Sequence, residues 1–546
     1  MSTKKGVKIS VDARGVKGKL DHVWRYIGYD ECNYTHTPEG EELISKFGSL
    51  EDGPYYIRTH HIFCTGNMHG TYKWGSTNAY TEDANGNPIY YWETIDKILD
   101  VFLRNNCKPF VELGFMPMDL VDMSSWTDIN EWNLYENYKR RGWNSPPKDY
   151  NKWYDLVFNF AAHCVERYGQ EEVLTWYWEL WNEPDIFYWN GTIEEFFRLY
   201  DYTEAALHAV LKGARFGGPA TTSPAPGSMS LDFLEKFLVH CSNGENYFTK
   251  ETGTRLDYVT FHAKGGGFPF NLNAPKATPS TKSLISQVKT GLEALKKHGF
   301  GDREVVLSEA DPDGWAAGGR FENANMNFRN TEYYASYVAS AYHNINRLSK
   351  AMGMDVKPLA WAFMFIGERC FEGTRTFSTQ GINKPIFNLF KLYAKMGSKA
   401  LHFESSGEKD ILSYNDNFGT GEEPEVSGMA SVSPDEAIQV MVYSHHDDWA
   451  IEKDFQVKLQ IENWRLGEKI EIKHYRIDKT HSNAYTEWLN QGKPDYPTKE
   501  QYGAIKSRDG LELYEKFITA ELKDYAVTLE FNLSSHAVSF IEISKA

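Results

Sequence analysis

Cysteine is scarce in this chain. The 546 residues contain six, Cys32, Cys64, Cys107, Cys164, Cys241 and Cys370, and no two form a CxxC pair. A disulfide-stapled scaffold and a thiolate metal centre are thereby excluded, and buried free thiols are expected. A basic excess is also lacking: 58 Lys and Arg stand against 75 Asp and Glu, for a formal net charge of −17. Nucleic acid and anionic membrane surfaces are poor partners for such a chain, because both are gripped by clustered cations. No long charge-free apolar run occurs and the mean hydropathy is −0.54, so no membrane span is expected. The opening residues, MSTKKGVKISVDARG, have neither the apolar core nor the cleavage site of a signal peptide. The chain therefore reads as cytoplasmic, or as periplasmic or secreted if a leader has been removed. Internal repeats, low-complexity linkers and a GxGxxG nucleotide fingerprint are missing as well.

What is present is a large apolar complement, 41% hydrophobic, with an aromatic excess of 15% (16 Trp, 33 Tyr, 32 Phe). A chain this long buries a core without metal or disulfide help. Residues 20–398 alternate short apolar runs with amphipathic helical patterns. The strand-like runs are Trp24–Gly28, Tyr55–His60, Lys108–Leu113, Thr175–Trp181, Arg215–Gly218, Tyr258–His262, Val305–Glu309 and Leu359–Phe365. Helical periodicity marks Trp92–Asn105, Tyr150–Tyr168, Ile193–Leu211, Leu284–His298 and Thr331–Leu348, with Thr192 and Glu195 spaced as a capping box. Eight such alternations predict a (β/α)8 TIM barrel over residues 20–398, an α/β domain. Over residues 399–546 the period falls to two, as in Val457, Leu459 and Ile461, in Ile470 and Ile472, and in Val527, Leu529, Phe531 and Leu533. That predicts a C-terminal antiparallel β-sandwich. The alternating Gly6–Val11 stretch predicts that residues 1–19 add a strand to it, and the lack of a linker predicts close packing of the two domains.

In a (β/α)8 barrel, reactive groups sit where strands end and βα loops begin. Strand four ends in Trp178-Glu179-Leu180-Trp181-Asn182-Glu183-Pro184-Asp185, and strand seven in Leu307-Ser308-Glu309-Ala310-Asp311. Each delivers a carboxylate to the mouth, Glu183 and Glu309. Two carboxylates from different strands serve a retaining glycosidase, in which one protonates the leaving oxygen while the other attacks the anomeric carbon. Asn182 is placed to donate to a sugar 2-OH or to the nucleophile, and Pro184 restrains the backbone beside the acid. No metal or cofactor is needed. His61 and His69 lie near His60, but linear spacing offers them no carboxylate.

These motifs resemble glycoside hydrolase family 39. The likeness is carried by Trp181–Asp185 (WNEPD), Lys108–Pro117 (KPFVELGFMP), Pro146–Trp153 (PPKDYNKW), Arg167–Gly169 and Gly217–Thr221 (GGPAT). In the sandwich it continues through His481–Tyr485 (HSNAY), Trp488 and Pro497–Tyr502. The resemblance implies Glu183 as acid/base and Glu309 as nucleophile, with Asn182, Arg58, His60 and His262 around the sugar. It implies an oligosaccharide or polysaccharide substrate, and family members often associate, so a homo-oligomer is a further expectation. The best-known bacterial members are β-D-xylosidases, which makes an exo-acting β-xylosidase releasing terminal xylose the leading expectation.

Other residues look closer to the family's α-L-iduronidase branch. Strand six reads Thr260-Phe261-His262-Ala263-Lys264-Gly265, and the nucleophile segment reads Ser308-Glu309-Ala310-Asp311-Pro312. By that resemblance Lys264 and Arg375 match positions that bind a substrate carboxylate, which favours a uronate by charge pairing. Lys264 could instead pair with Glu368 or Asp311. The strand-eight loop, Phe365–Gly373 (FIGERCFEG), departs from the xylosidases' Phe-Glu-Glu pattern and adds Glu368 to the substrate-contact candidates. A non-catalytic carbohydrate-binding barrel is a minor alternative, and it would be expected to have lost one of the two carboxylates. Exo action depends on whether the loops Met68–Asn87 and Met118–Ser145 wall off the pocket. Part of the aromatic excess, Trp74, Tyr90, Tyr91, Trp178, Trp181, Trp189 and Trp315, falls in or beside βα loops, where ring faces would suit sugar C–H faces.

Overall fold

Strands buried on both faces cannot alternate polar with apolar side chains, and the barrel strands obey that rule. Cys107–Leu113, Tyr177–Leu180 and Glu304–Asp311 are buried almost without a break. The computed structural model describes residues 5–29, 32–65, 77–121, 142–266, 279–314, 319–321, 324–362, 367–410, 421, 423–464, 469–515, 518–521 and 525–546. Parallel pairing runs through Tyr26–Tyr29, Tyr55–Thr59, Cys107–Leu113, Tyr177–Leu180, Arg215–Thr221, Tyr258–Lys264 and Glu304–Asp311, strands one to seven. The eighth strand is split: Val356–Pro358 pairs with strand seven and Ala360–Trp361 with strand one, and this stretch closes the barrel. The Leu359 N–H donates to Leu307 O (3.0 Å) and the Ala362 N–H to Gly28 O (2.7 Å), one bond on each side of the seam. The strand-eight prediction extended to Phe365, but residues 363–366 lie outside the described set.

Helices cover the strands, among them Glu93–Arg104, Tyr150–Tyr168, Ile193–Val210, Thr281–Lys297 and Glu332–Met352. Thr192 and Glu195 do form the capping box. Periodicity did not flag three further helices, Pro38–Gly48, Met229–Asn243 and Pro385–Ala394. The last is buried on almost every side and so lacks the polar face that produces a 3.6-residue period. All six cysteines are buried free thiols.

The second domain is one ten-stranded sheet folded over into a sandwich, with side chains from both halves meeting in a single apolar cluster that includes Val7, Ile9, Val457, Val440 and Ile541. Lys5–Lys19 lies between Lys399–Ser405 and Asp454–Glu462. Its pairing with Asp454–Glu462 is parallel, so the sandwich is mixed rather than wholly antiparallel. The strand arrives from the far end of the sequence, and no hairpin dictates its direction. Two helices, Ala484–Asn490 and Lys499–Lys506, interrupt the strands, and Tyr485 and Trp488 pack on Phe371 of a barrel loop.

The seam between the domains is polar and buried. Asp447 accepts from the Thr281 N–H (3.1 Å) and hydroxyl (2.8 Å), Ser336 meets His445 (2.9 Å), and Glu425 accepts from Asn344 (3.0 Å) and Tyr443 (2.9 Å). Burial pushes the Asp447 carboxyl up to about 7, against the pull of the Thr281 bonds and of His446 and Lys409. The fold therefore holds a proton that the unfolded chain releases near 3.8. Stability from this group is complete at low pH and is lost as pH rises from about 4 through about 7. Asp447→Asn should consequently gain melting temperature relative to wild type as pH goes from 5 to 8. Parallel melting-temperature curves for the two proteins over that range would refute this.

Candidate active site

The candidate residues Glu183, His262, Lys264 and Glu309 lie at the ends of strands four, six and seven, and local irregularities aim them. Strands six and seven pair in register until Leu307 opposite Phe261, then resume at Glu309 opposite His262, leaving Ser308 as a bulge. Such a bulge re-aims the next side chain. As a result Glu309 neighbours His262, and Asp311 neighbours Lys264. A second bulge at Ala220 (φ 53°) turns its carbonyl to accept the Glu183 N–H at 2.8 Å. Trp181 (φ 65°) and Glu183 (φ 45°) occupy the left-handed region, a strained placement for such residues. Hydrogen bonds from Trp181 N–H to Leu113 O (3.1 Å) and from the Trp181 indole to Tyr188 O (2.9 Å) hold it.

The structure brings Glu183 and Glu309 together. One oxygen of each, with a His262 nitrogen, lies within 4.8 Å of the others. His262 Nδ1 is 2.8 Å from Glu183 Oε1 and 3.9 Å from Glu309 Oε2. Glu309 faces cations on several sides: Lys264 Nζ at 2.5 Å, Arg58 Nη1 at 3.6 Å and Arg375 Nη2 at 3.7 Å. Burial pushes its carboxyl up, yet Lys264, His262, Arg375 and Arg58 together hold it well below the usual carboxylate range. Asp311, also buried, shares Lys264 (2.6 Å) and Arg375 (3.0 Å) and is likewise held low by them. Of the two predicted partners for Lys264, the structure supplies Asp311.

Arg58 is fully buried in the barrel interior. Its Nε donates to Glu179 Oε2 (2.6 Å), and Nη2 reaches both Glu112 Oε2 (2.6 Å) and Asn182 Oδ1 (3.1 Å). With its oxygen engaged, what Asn182 can offer a sugar is its NH2. Glu112 also meets His60 Nδ1 (3.0 Å) and His61 Nδ1 (2.8 Å), and its carboxyl is pushed well above the usual range by burial, which Arg58 only partly offsets. Burial, with His61 and Arg58 alongside, lowers His60 well below the ordinary imidazole value. Glu112 is thus the carboxylate that linear spacing did not show beside His60 and His61. In both this trio and the Glu183–His262–Glu309 trio, a cation of the chain already faces the carboxylate, so neither donor set is built for a metal ion. His69 lies outside the described residues.

Sequence reasoning missed Glu112, Glu179 and Trp361. The two glutamates were visible only as polar breaks inside otherwise apolar strands. Trp361 lies beneath both guanidiniums, 5.7 Å from Arg58 and 5.4 Å from Arg375. Glu368 is not brought to the pair: among the described residues no contact links it to Glu183, Glu309 or Lys264. Burial lifts its carboxyl to about 7, and its charge partner is Lys384. The aromatic expectation needs correction too. Trp178, Trp181 and Trp189 are buried among other rings and present no sugar-binding face, while Tyr91 is exposed. Trp74 and Trp315 lie outside the described residues.

A family model described as Glycosyl hydrolases family 39 matches residues 7–509. A β-xylosidase of Caldicellulosiruptor saccharolyticus is 26% identical over 100% of this chain and 99% of its own length. An α-L-iduronidase of Mus musculus is 24% identical over 77% of this chain and 63% of its own. In fold, the chain is similar to a crystal structure of a monomeric β-xylosidase from Caulobacter crescentus CB15, with TM-score 0.76, 21% identity, and 98% and 99% coverage.

Since Lys264 is the strongest cationic influence on Glu309, Lys264→Met should raise the Glu309 carboxyl pKa. A smaller fraction of Glu309 is then ionised in acid, and the acidic limb of the kcat/KM profile should move to higher pH. A limb that stays in place would show that Lys264 does not govern Glu309.

Proposed function

The chain belongs to glycosyl hydrolases family 39, and we propose that it is a retaining, exo-acting glycosidase with Glu309 as nucleophile and Glu183 as acid/base. The observation that carries this reading is that one oxygen of Glu183 and one of Glu309 lie within 4.8 Å of each other, on the same side of the barrel mouth as His262. Retention needs carboxyl groups about 5–5.5 Å apart, whereas inversion needs about 6.5–9.5 Å to admit a water. Their surroundings divide the roles. Glu309, ringed by cations, stays ionised and able to attack. Glu183 is the more exposed of the two (17% against 10% for the side chains) and meets His262 rather than a lysine or arginine.

In the first step Glu309 attacks the anomeric carbon as Glu183 gives its proton to the departing oxygen, and a glycosyl ester forms on Glu309. In the second, Glu183 takes a proton from water, the water oxygen bonds to the anomeric carbon, and the C–O bond to Glu309 breaks with its electron pair returning to the carboxylate. Lys264, Arg58 and Arg375 stand where that charge reappears.

For substrate, the reading best supported is a terminal β-D-xyloside. One full-length sequence likeness is to a β-xylosidase, and Asp311 and Glu309 together already balance Lys264 and Arg375 without a uronate. A second reading, a uronic acid, is favoured by the convergence of Lys264 and Arg375 beside Glu309 and by the likeness to an α-L-iduronidase. Release from nitrophenyl xyloside, arabinoside, galactoside and glucuronide, run beside an iduronide, decides between them. In the uronate case Lys264→Met should lose uronide turnover and keep any pentoside turnover.

The roles have separate signatures. Glu309→Ala should abolish turnover of every substrate. Glu183→Ala should slow substrates with poor leaving groups by about 10²–10⁴-fold, the usual worth of a general acid, and spare nitrophenyl glycosides in the first step. Retention of most activity by both variants would overturn the assignment.

A further inference from the structure

Arg58 touches three buried carboxylates, yet only one of them is the nucleophile. Glu179 and Glu112 are fully buried, on strands four and three, and they hold two of the three guanidinium nitrogens, Nε and Nη2, each at 2.6 Å. Asn182 Oδ1 adds a second bond to Nη2 at 3.1 Å. The remaining nitrogen, Nη1, is buried with no hydrogen-bond partner among the described residues and stands 3.6 Å from Glu309 Oε1. A planar group fixed at two corners cannot rotate, so the third is aimed. At 3.6 Å that third corner is near the nucleophile but not bonded to it.

We propose that Glu179 is a positioning residue that sets the reactivity of Glu309 through Arg58. The proposal rests on the retaining reading above. Glu179 draws Arg58 back along the Nε direction and shares its single positive charge. Glu309 Oε1 therefore feels the cation without closing a tight ion pair that would blunt it as a nucleophile, whereas Oε2 is the oxygen that Lys264 holds at 2.5 Å. When the ester bond to Glu309 breaks and its electron pair returns to the carboxylate, Nη1 is the free donor facing it. Without the Glu179 charge, Arg58 should close onto Glu309 in the resting enzyme, and the donor would be spent before the transition state. Binding of the sugar does not pass through this contact, so the effect belongs to kcat rather than KM.

The test uses the full-length enzyme and the nitrophenyl glycoside it cleaves fastest. Glu179→Gln keeps an acceptor oxygen for Nε and removes only the charge. It should lower kcat roughly 10- to 100-fold, by analogy with the loss when the hydrogen-bond partner of a metal ligand is removed, with KM and melting temperature close to wild type. Because the action runs through Arg58, the Arg58→Lys, Glu179→Gln double variant should be no slower than Arg58→Lys alone. Should Glu179→Gln fail to fold, Glu179→Asp, which keeps the charge but withdraws it from Nε, should show the same loss confined to kcat. Wild-type kcat in a folded variant overturns the proposal, as does full additivity in the double variant. Failure of the underlying reading is separable. A 2-deoxy-2-fluoro glycoside should leave one glycosyl group on Glu309 of the wild type. Absence of that ester sinks the retaining mechanism, whereas an ester trapped beside an unaltered Glu179→Gln sinks this proposal alone.

Discussion

Charge taken out of water has to be balanced within a few ångströms, and the mouth of this barrel is organised around that requirement. Arg58, Lys264 and Arg375 are interleaved with Glu309, Asp311, Glu112 and Glu179, so that each cation meets at least two carboxylates. Leaving any one of these charges buried and unpaired would cost about 3–5 kcal/mol, which ties the integrity of the fold to that of the site. The same balance separates the two catalytic candidates electrically. Glu309 sits inside the cationic ring and Glu183 at its edge, an asymmetry that fits the different roles proposed for two identical side chains.

Meeting the requirement takes geometry that regular strands do not supply. The bulges at Ser308 and Ala220 and the positive φ at Trp181 and Glu183 are departures from ideal backbone, each located where a functional side chain has to be turned. Local strain of this kind persists only inside an over-determined surrounding. The closed barrel provides it through continuous parallel pairing, and the split eighth strand completes the ring while bringing Trp361 beneath Arg58 and Arg375. The sandwich adds a buried polar seam along the helix Glu332–Met352, so the strand-seven side of the barrel is braced from outside as well.

Much of this was legible in the residues alone. Near-continuous apolar runs alternating with 3.6-residue periods announced the barrel, and period-two alternation announced the sandwich. The rule that chemistry sits at the C-terminal ends of strands selected Glu183 and Glu309 from 75 acidic residues. Arg58, His60, His262, Lys264 and Arg375 came from the family resemblance; the structure brings Arg58, His262, Lys264 and Arg375 to Glu309, whereas His60 meets Glu112. Less was legible where the signal was not periodic. The nearly apolar helix Pro385–Ala394 had no polar face, the parallel pairing of the N-terminal strand had no hairpin to mark it, and the buried state of Trp181 and Trp189 contradicts what their loop positions implied.

Sequence by itself determined the fold class, the pair of strand-end carboxylates and the resemblance to one hydrolase family, because these depend on local period and on motifs contiguous along the chain. Only the tertiary structure decided how the charges are shared. That Lys264 pairs with Asp311 and not Glu368, that Glu112 joins His60 and His61, and that Glu179 holds Arg58 beside Glu309 are contacts between residues 47 to 121 positions apart or, for Glu112, on neighbouring strands. No linear spacing encodes them. They are set by the register of the strands around the barrel, and by the need of each buried charge for a partner that only the closed ring can bring to it.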